Sequence, residues 1–208
     1  MQDISQMLRR IVGADNIVAN PAADHPLLID ERKLFKGKAK ALVFPKTASE
    51  LASAARVCSD AGIGMVPQGG NTGYCGGATP DASGTQIVFN LRRLNRVLDV
   101  DTRASTMTVE AGVILSDVQR AASLHDLLFP LSMGSEGSCQ IGGNLSTNAG
   151  GLAVLRYGTA KELVAGLEVV LPDGRMWSDL KGLRKDNTGY DIKQLFLGAE
   201  GTLGIITA

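Results

Sequence analysis

Fourteen of the 25 glycines in this 208-residue chain crowd into three short stretches: five in 69–77, six in 134–151 and three in 198–204. Average proteins carry roughly 7% glycine, and here the clustering constrains the fold more than the excess does. Glycine weakens the interior of a helix or strand and serves where backbone takes φ > 0 or approaches another group closely. The three stretches are therefore where turns and close backbone approaches are expected, and most regular elements have to be fitted between them.

Those elements are legible. Ile4, Met7, Leu8, Ile11 and Val12 follow helical spacing, which predicts an amphipathic helix over 4–12 stopped by Gly13 in a left-handed turn. Residues 20–40, with two prolines and five basic side chains from Arg32 to Lys40, read as a solvated connection. Ala41-Leu42-Val43-Phe44 before Pro45 suits a buried strand, and Thr47-Ala48-Ser49-Glu50 has capping-box form for the helix that follows. Gly62 ends that helix, Ile63 to Val66 reads as a second strand, and the βαβ unit predicts two parallel neighbours. Cys58 falls on the core face of the helix and reads as packing.

Gln86 to Leu91 supplies another strand, and Val97–Val100 with Thr106–Ala111 suits a β-hairpin bent at Asp101-Thr102-Arg103. Ser116 is placed to cap a helix reaching Leu124. The run from Leu163 to Leu171 turns at Pro172-Asp173-Gly174 into a return strand near Arg175. Strands thus come first in βαβ style and then in hairpins. This predicts an α+β chain: an N-terminal helix and connection (1–24), a small α/β subdomain with parallel strands (25–95), and a larger mixed or antiparallel subdomain flanked by helices (96–208).

Composition excludes several classes. Lys+Arg and Asp+Glu balance at 21 each, which argues against a nucleic-acid or anionic-membrane binder. No run approaches the roughly 18 apolar residues of a membrane span. Cys58, Cys75 and Cys139 are odd in number and without metal-site spacing, which points to a reducing compartment. Met1 to Arg10 lacks a secretory pattern, so a cytoplasmic location is expected. His25 and His125 lie too far apart for HExxH zinc chemistry, and His125 reads as a surface residue.

The first stretch, Pro67-Gln68-Gly69-Gly70-Asn71-Thr72-Gly73-Tyr74-Cys75-Gly76-Gly77, follows a strand directly. Such a loop can aim several backbone N–H groups at one anion, a pyrophosphate being the obvious guest. Its spacing fits neither the Rossmann fingerprint nor a Walker loop, and alone it equally fits a long hairpin loop. The second stretch, Pro130 to Gly151, alternates hydroxyls and amides with glycines and carries only Glu136 as charge. That chemistry suits a neutral heteroaromatic ligand, and a helix starting at Ile141-Gly142-Gly143-Asn144 would add free N–H groups for a second anion contact. The third, Gly198 to Ile206, is a tight turn into an apolar strand. Lys185 to Asp191 reads as a polar loop capping a following helix.

In this order the segments resemble the FAD-binding domain of the vanillyl-alcohol oxidase and p-cresol methylhydroxylase flavoproteins, and within them the D-2-hydroxyglutarate, D-lactate and glycolate-oxidising enzymes. The carrying motifs are Pro67–Gly73, Ile141–Gly151 with Arg156-Tyr157-Gly158, and Leu183–Asp191 running on through Glu200–Thr207. The resemblance implies non-covalent FAD, since Asn71 stands where covalent relatives place a histidine. It implies cofactor contacts at Pro67, Gly69, Gly70, Asn71, Thr72, Gly73 and Gly77. It extends them to Pro130, Gly134, Ser138, Gly142, Gly143, Asn144, Ser146, Asn148 and Gly150, and to Glu200, Gly201 and the main chain of Ile205. It implies oxidation of a small D-2-hydroxy acid, with electrons passed to a separate flavoprotein, quinone or cytochrome and a homodimer allowed. The alternatives are D-lactate, glycolate or an aldonolactone as substrate, or a non-catalytic nucleotide-binding subunit. The catalytic base and any divalent metal would belong to a C-terminal substrate domain absent from this chain.

Overall fold

The computed structural model describes residues 3–183 and 185–208. Helix α1 (Ile4–Val12) begins where the Asp3 carboxylate accepts the Ser5 N–H, and it ends at Gly13, whose N–H donates to Arg9 O. Gly13 does take positive φ (+86°), but with ψ 150° it is not the left-handed helical turn expected; the chain leaves extended. Strand β1 (Ile17–Ala19) runs antiparallel to β2 (Ala41–Val43). Helix α2 (Ala48–Asp60) is capped by the Thr47 hydroxyl on Glu50 N–H, while the Glu50 carboxylate reaches Lys46 N–H rather than closing a full capping box.

Strands β3 (Met65–Gln68) and β4 (Ile87–Asn90) complete a sheet of order β1-β2-β4-β3. The expected adjacency of β2 and β3 is corrected here. They are parallel, but each pairs with β4, which is inserted between them. Every residue of β4 is buried, as the strand covered on both faces must be. Ala41, Val43, Ile87 and Phe89 face the main core; Leu42, Val88 and Val66 alternate to the other face, where Leu28 and Ala39 cover them. The 20–40 segment is thus not merely a solvated connection. Leu28 is fully buried, and Asp30 is buried with its carboxylate accepting the N–H groups of Arg32 and Phe35.

The second half is built from antiparallel pairs. Strands β5 (Val97–Asp101) and β6 (Thr106–Val109) form the hairpin, followed by α3 (Leu115–Ser123). Ser116 does not cap α3: the helix starts at Leu115, Ile114 holds the cap position two residues earlier than expected, and Ser116 N–H donates to Glu136 O. Two short helices, α4 (Ile141–Ser146) and α5 (Val154–Tyr157), lead to a sheet of order β8-β7-β9, made of β7 (Glu168–Val170), β8 (Met176–Ser178) and β9 (Ile205–Ile206). The helix expected after Asp191 is a single 3-10 turn, Ile192–Leu195. Arg184, within the 183–191 motif, lies outside the described residues. One core cluster runs from Leu8 of α1 through Phe89 and Leu115 to Val169 and Ile206. Among the described residues no helix is long and apolar enough to cross a membrane.

Candidate functional site

The first glycine stretch leaves the buried end of β3 and is held by a polar pair beneath it. Gln68, 1% exposed, donates from Nε2 to Ala78 O and Leu27 O and accepts the Asn90 amide at Oε1. Asn90, equally buried at the end of β4, also donates to Gly69 O. These bonds close the loop between its first and last residues, and the Asn71 amide anchors its crest to Ile29 O. Carbonyls are therefore consumed below while N–H groups are left above. From Gly69 to Ala78 no backbone N–H donates to a protein acceptor among the described residues. Asn71 takes the left-handed conformation, φ +55°, which lets successive N–H groups point the same way.

The second stretch folds directly against this loop. A Cβ built on Gly70 would lie 2.2 Å from Ser138 O, and one on Gly69 would lie 3.4 Å from Gln140 Oε1 and 3.7 Å from Gly143 N. Gln140 occupies the cap position of α4. The expected set of free N–H groups there is reduced, because Ile141 N–H donates to Val113 O and Gly142 N–H to Ala111 O. Gly143 N–H is left without an acceptor among the described residues. Asn144 is buried, with its amide 3.5 Å from Cys139 Sγ, and Asn148 accepts the Lys161 N–H. Gly142, Asn144 and Asn148 therefore spend these groups inside the fold. Ser138, Gly134 and Gly150 are exposed, and Pro130 is half-buried.

The third stretch closes the arrangement. Gly201 has φ +78°, and a Cβ there would sit 2.3 Å from Pro67 Cγ. Glu200 N–H donates to Ser146 O, and its carboxylate lies 3.1 Å from the Cβ position of Gly77. Ile205 is buried in β9 opposite Val170. Pro67, Gly69, Gly70, Gly77, Ser138, Gly143, Ser146, Glu200 and Gly201 are thus brought together from three distant stretches.

The residues that sequence reading passed over are Gln68, Asn90 and Gln140. Gln68 and Asn90 are buried amides at the ends of apolar strands, and that position, Met-Val-Pro-Gln and Ile-Val-Phe-Asn, was the available signal; Gln140, buried just before α4, carried none. Two cavities of about 460 and 350 Å³ lie elsewhere, one between β8 and the 185–193 loop, the other under the β5–β6 hairpin. In the first, Lys181 pairs with Asp179 and Asp186, and Lys193 with Asp191.

A row of N–H groups without protein acceptors, beside Gly69, Gly70 and Gly201 where a Cβ would meet the facing chain, has the donor chemistry that suits a phosphorylated ligand. The fold is a mixed one, with parallel and antiparallel strands in sheets of four, two and three strands. Alkyldihydroxyacetonephosphate synthase superposes with a TM-score of 0.86 at 22% identity, covering 98% of this chain and 38% of that one. The 6-hydroxy-D-nicotine oxidase of Arthrobacter nicotinovorans gives 0.74 at 24% identity over 92% of this chain and 40% of its own. At such identities these likenesses speak for the fold.

The FAD binding domain family matches residues 39–179, and the chain belongs to that family. FAD is its cofactor, and the donor set above fits it. Mitochondrial D-2-hydroxyglutarate dehydrogenase of Bos taurus is 42% identical over 207 residues, all of this chain and 38% of that protein. The D-2-hydroxyglutarate–pyruvate transhydrogenase of Saccharomyces cerevisiae is 41% identical over 96% of this chain and 40% of its own length. The Danio rerio dehydrogenase, also mitochondrial, is 45% identical over 86% of this chain and 33% of its own. The chain thus spans about two fifths of the length of these relatives. The mitochondrial relatives overturn the cytoplasmic expectation. Reduced cysteines report a redox condition, which more than one compartment provides, and carry no address.

Proposed function

We propose that the chain is the FAD-binding part of a flavin-dependent dehydrogenase acting on a D-2-hydroxy acid such as D-2-hydroxyglutarate. The observation that carries this reading is the meeting of the free 69–73 N–H row with Ser138 and Gly143 at one place. The relatives' names supply the substrate class. The parallel strands β2, β3 and β4 fall within 25–95 and the antiparallel β5–β9 within 96–208, which supports the division at those boundaries with 1–24 leading in.

The N–H groups of Gly69, Gly70, Asn71, Thr72 and Gly73 hold the diphosphate, with the Gly143 N–H facing it from α4. Gly77, Ser146, Glu200 and Gly201 wall the dinucleotide; Gly142, Asn144 and Asn148 keep that wall in shape. Ser138, Gly150, Gly134 and Pro130 extend it along the second stretch, and Ile205 backs it from β9. Bound FAD supplies the acceptor for the hydride that leaves the substrate α-carbon. The protein's share is orientation and exclusion of water. Asn71 has its amide committed to Ile29 O, and no histidine lies in 67–77, so FAD is held without a covalent bond. His25 Nδ1 accepts the Leu27 N–H and His125 is exposed; neither is given a catalytic role. The base and the cations for the substrate carboxylate are assigned to the remaining length typical of such proteins, as is any divalent metal. The reading implies, besides the hydroxy acid, a separate electron acceptor as a partner.

Titration of the chain with FAD, followed by visible absorbance and dialysis, tests the reading. A yellow, dialysable complex is expected; a protein that stays colourless rejects it. In a form as long as the relatives, stopped-flow reduction should be faster with D-2-hydroxyglutarate than with D-lactate or glycolate, and the reverse order reassigns the substrate.

A further inference from the structure

Gln140 caps α4 and is 8% exposed, yet its Oε1 is buried without any hydrogen-bond partner. Buried acceptors in folded proteins are normally paired, and an unpaired one weakens the fold that contains it. This one is not lost in apolar packing. It lies beside Gly69 at the root of the N–H row, with the unpaired Gly143 N–H near the same point. The fold pays for an acceptor exactly where a ligand is expected, so the missing donor belongs to that ligand. An ionised diphosphate offers acceptors only and cannot supply it. The donors next to the diphosphate in FAD are hydroxyls, of the ribityl chain on one side and the adenosine ribose on the other.

We propose that Gln140 is a cofactor-positioning residue whose side-chain carbonyl accepts a hydrogen bond from a sugar-type hydroxyl flanking the diphosphate. The proposal rests on the FAD reading and goes beyond the backbone contacts, since it gives a side chain the task of setting how far the dinucleotide slides along the cleft.

The opposite signs expected in apo and loaded protein make the test. Gln140→Met keeps the length and removes the acceptor. Apo Gln140→Met should unfold at the same temperature as apo wild type or a higher one, because the orphaned acceptor is gone. Its dissociation constant for FAD, read by quenching of flavin fluorescence, should rise about tenfold. ADP and FMN serve as further probes: weakening with FMN but not ADP assigns the ribityl hydroxyls, and weakening with ADP but not FMN assigns the ribose. An apo variant that unfolds earlier than wild type, or does not fold, marks a structural carboxamide and overturns the proposal. So does unchanged FAD affinity. A wild-type chain that ignores FAD takes the cofactor reading down first and this one with it.

Discussion

Gly70 shows how much one missing methyl group decides. Its φ is unremarkable, so conformational freedom is not the reason for glycine; the reason is Ser138 O, 2.2 Å from where a Cβ would stand. Gly70→Ala would push the second stretch off the first, at about 1–3 kcal/mol for overpacking against backbone. It should also weaken FAD at least tenfold, because Ser138 and Gly143 would no longer face the N–H row. Urea unfolding together with FAD titration checks both effects. Gly201 is different: φ +78° and the Pro67 ring each demand glycine there. The glycine clusters were visible in the sequence. Which partner each glycine admits was not, because Ser138 and Pro67 lie about 70 and 130 residues away along the chain.

Among the elements, β4 matters most for the site although it contributes no glycine. Its apolar run was read correctly as a strand, but its place between β2 and β3 was not, because local pattern carries no strand order. That central position lets Asn90 meet Gln68 across the ladder and fasten both ends of the loop. Gln68→Leu would strand the Asn90 amide and the Ala78 and Leu27 carbonyls in a buried place. A loss of about 2–4 kcal/mol is expected. FAD affinity should fall as well, since the loop ends would no longer be tied. Equal FAD affinity in a folded Gln68→Leu protein would show that the clamp is not needed to shape the loop. The expected cap at Ser116 failed because the helix begins at Leu115, with Ile114 at the cap, so Ser116 lies inside the first turn; its N–H reaches Glu136 O, 20 residues along the chain.

Across the whole molecule, one core joins the two halves, and α2 illustrates it by packing against both α1 and β7. Cys58 on its inner face is fully buried, and desolvation pushes the thiol up from 9.0 to about 12. The unfolded chain releases this proton near the ordinary value, while the folded protein retains it. Stability from this group is therefore complete below about pH 9 and falls as pH rises toward 12. Urea midpoints at pH 8 and pH 10.5 should differ more for the wild type than for Cys58→Ala. An identical difference would mean that Cys58 does not titrate on unfolding. Only the exposed Cys75 should react with a thiol reagent in the native state, with Cys58 and Cys139 protected.

Period, turn chemistry and glycine placement were enough to place α1 to α3, the start of α4, most strands, the three glycine stretches and their resemblance to a flavin-binding family, because each depends on residues near one another in the chain. Strand order, the covered second face of the first sheet, the clamp of Gln68 and Asn90 and the unpaired Gln140 carbonyl depend on contacts between distant segments. Those contacts exist only once close packing has chosen which backbone lies against which.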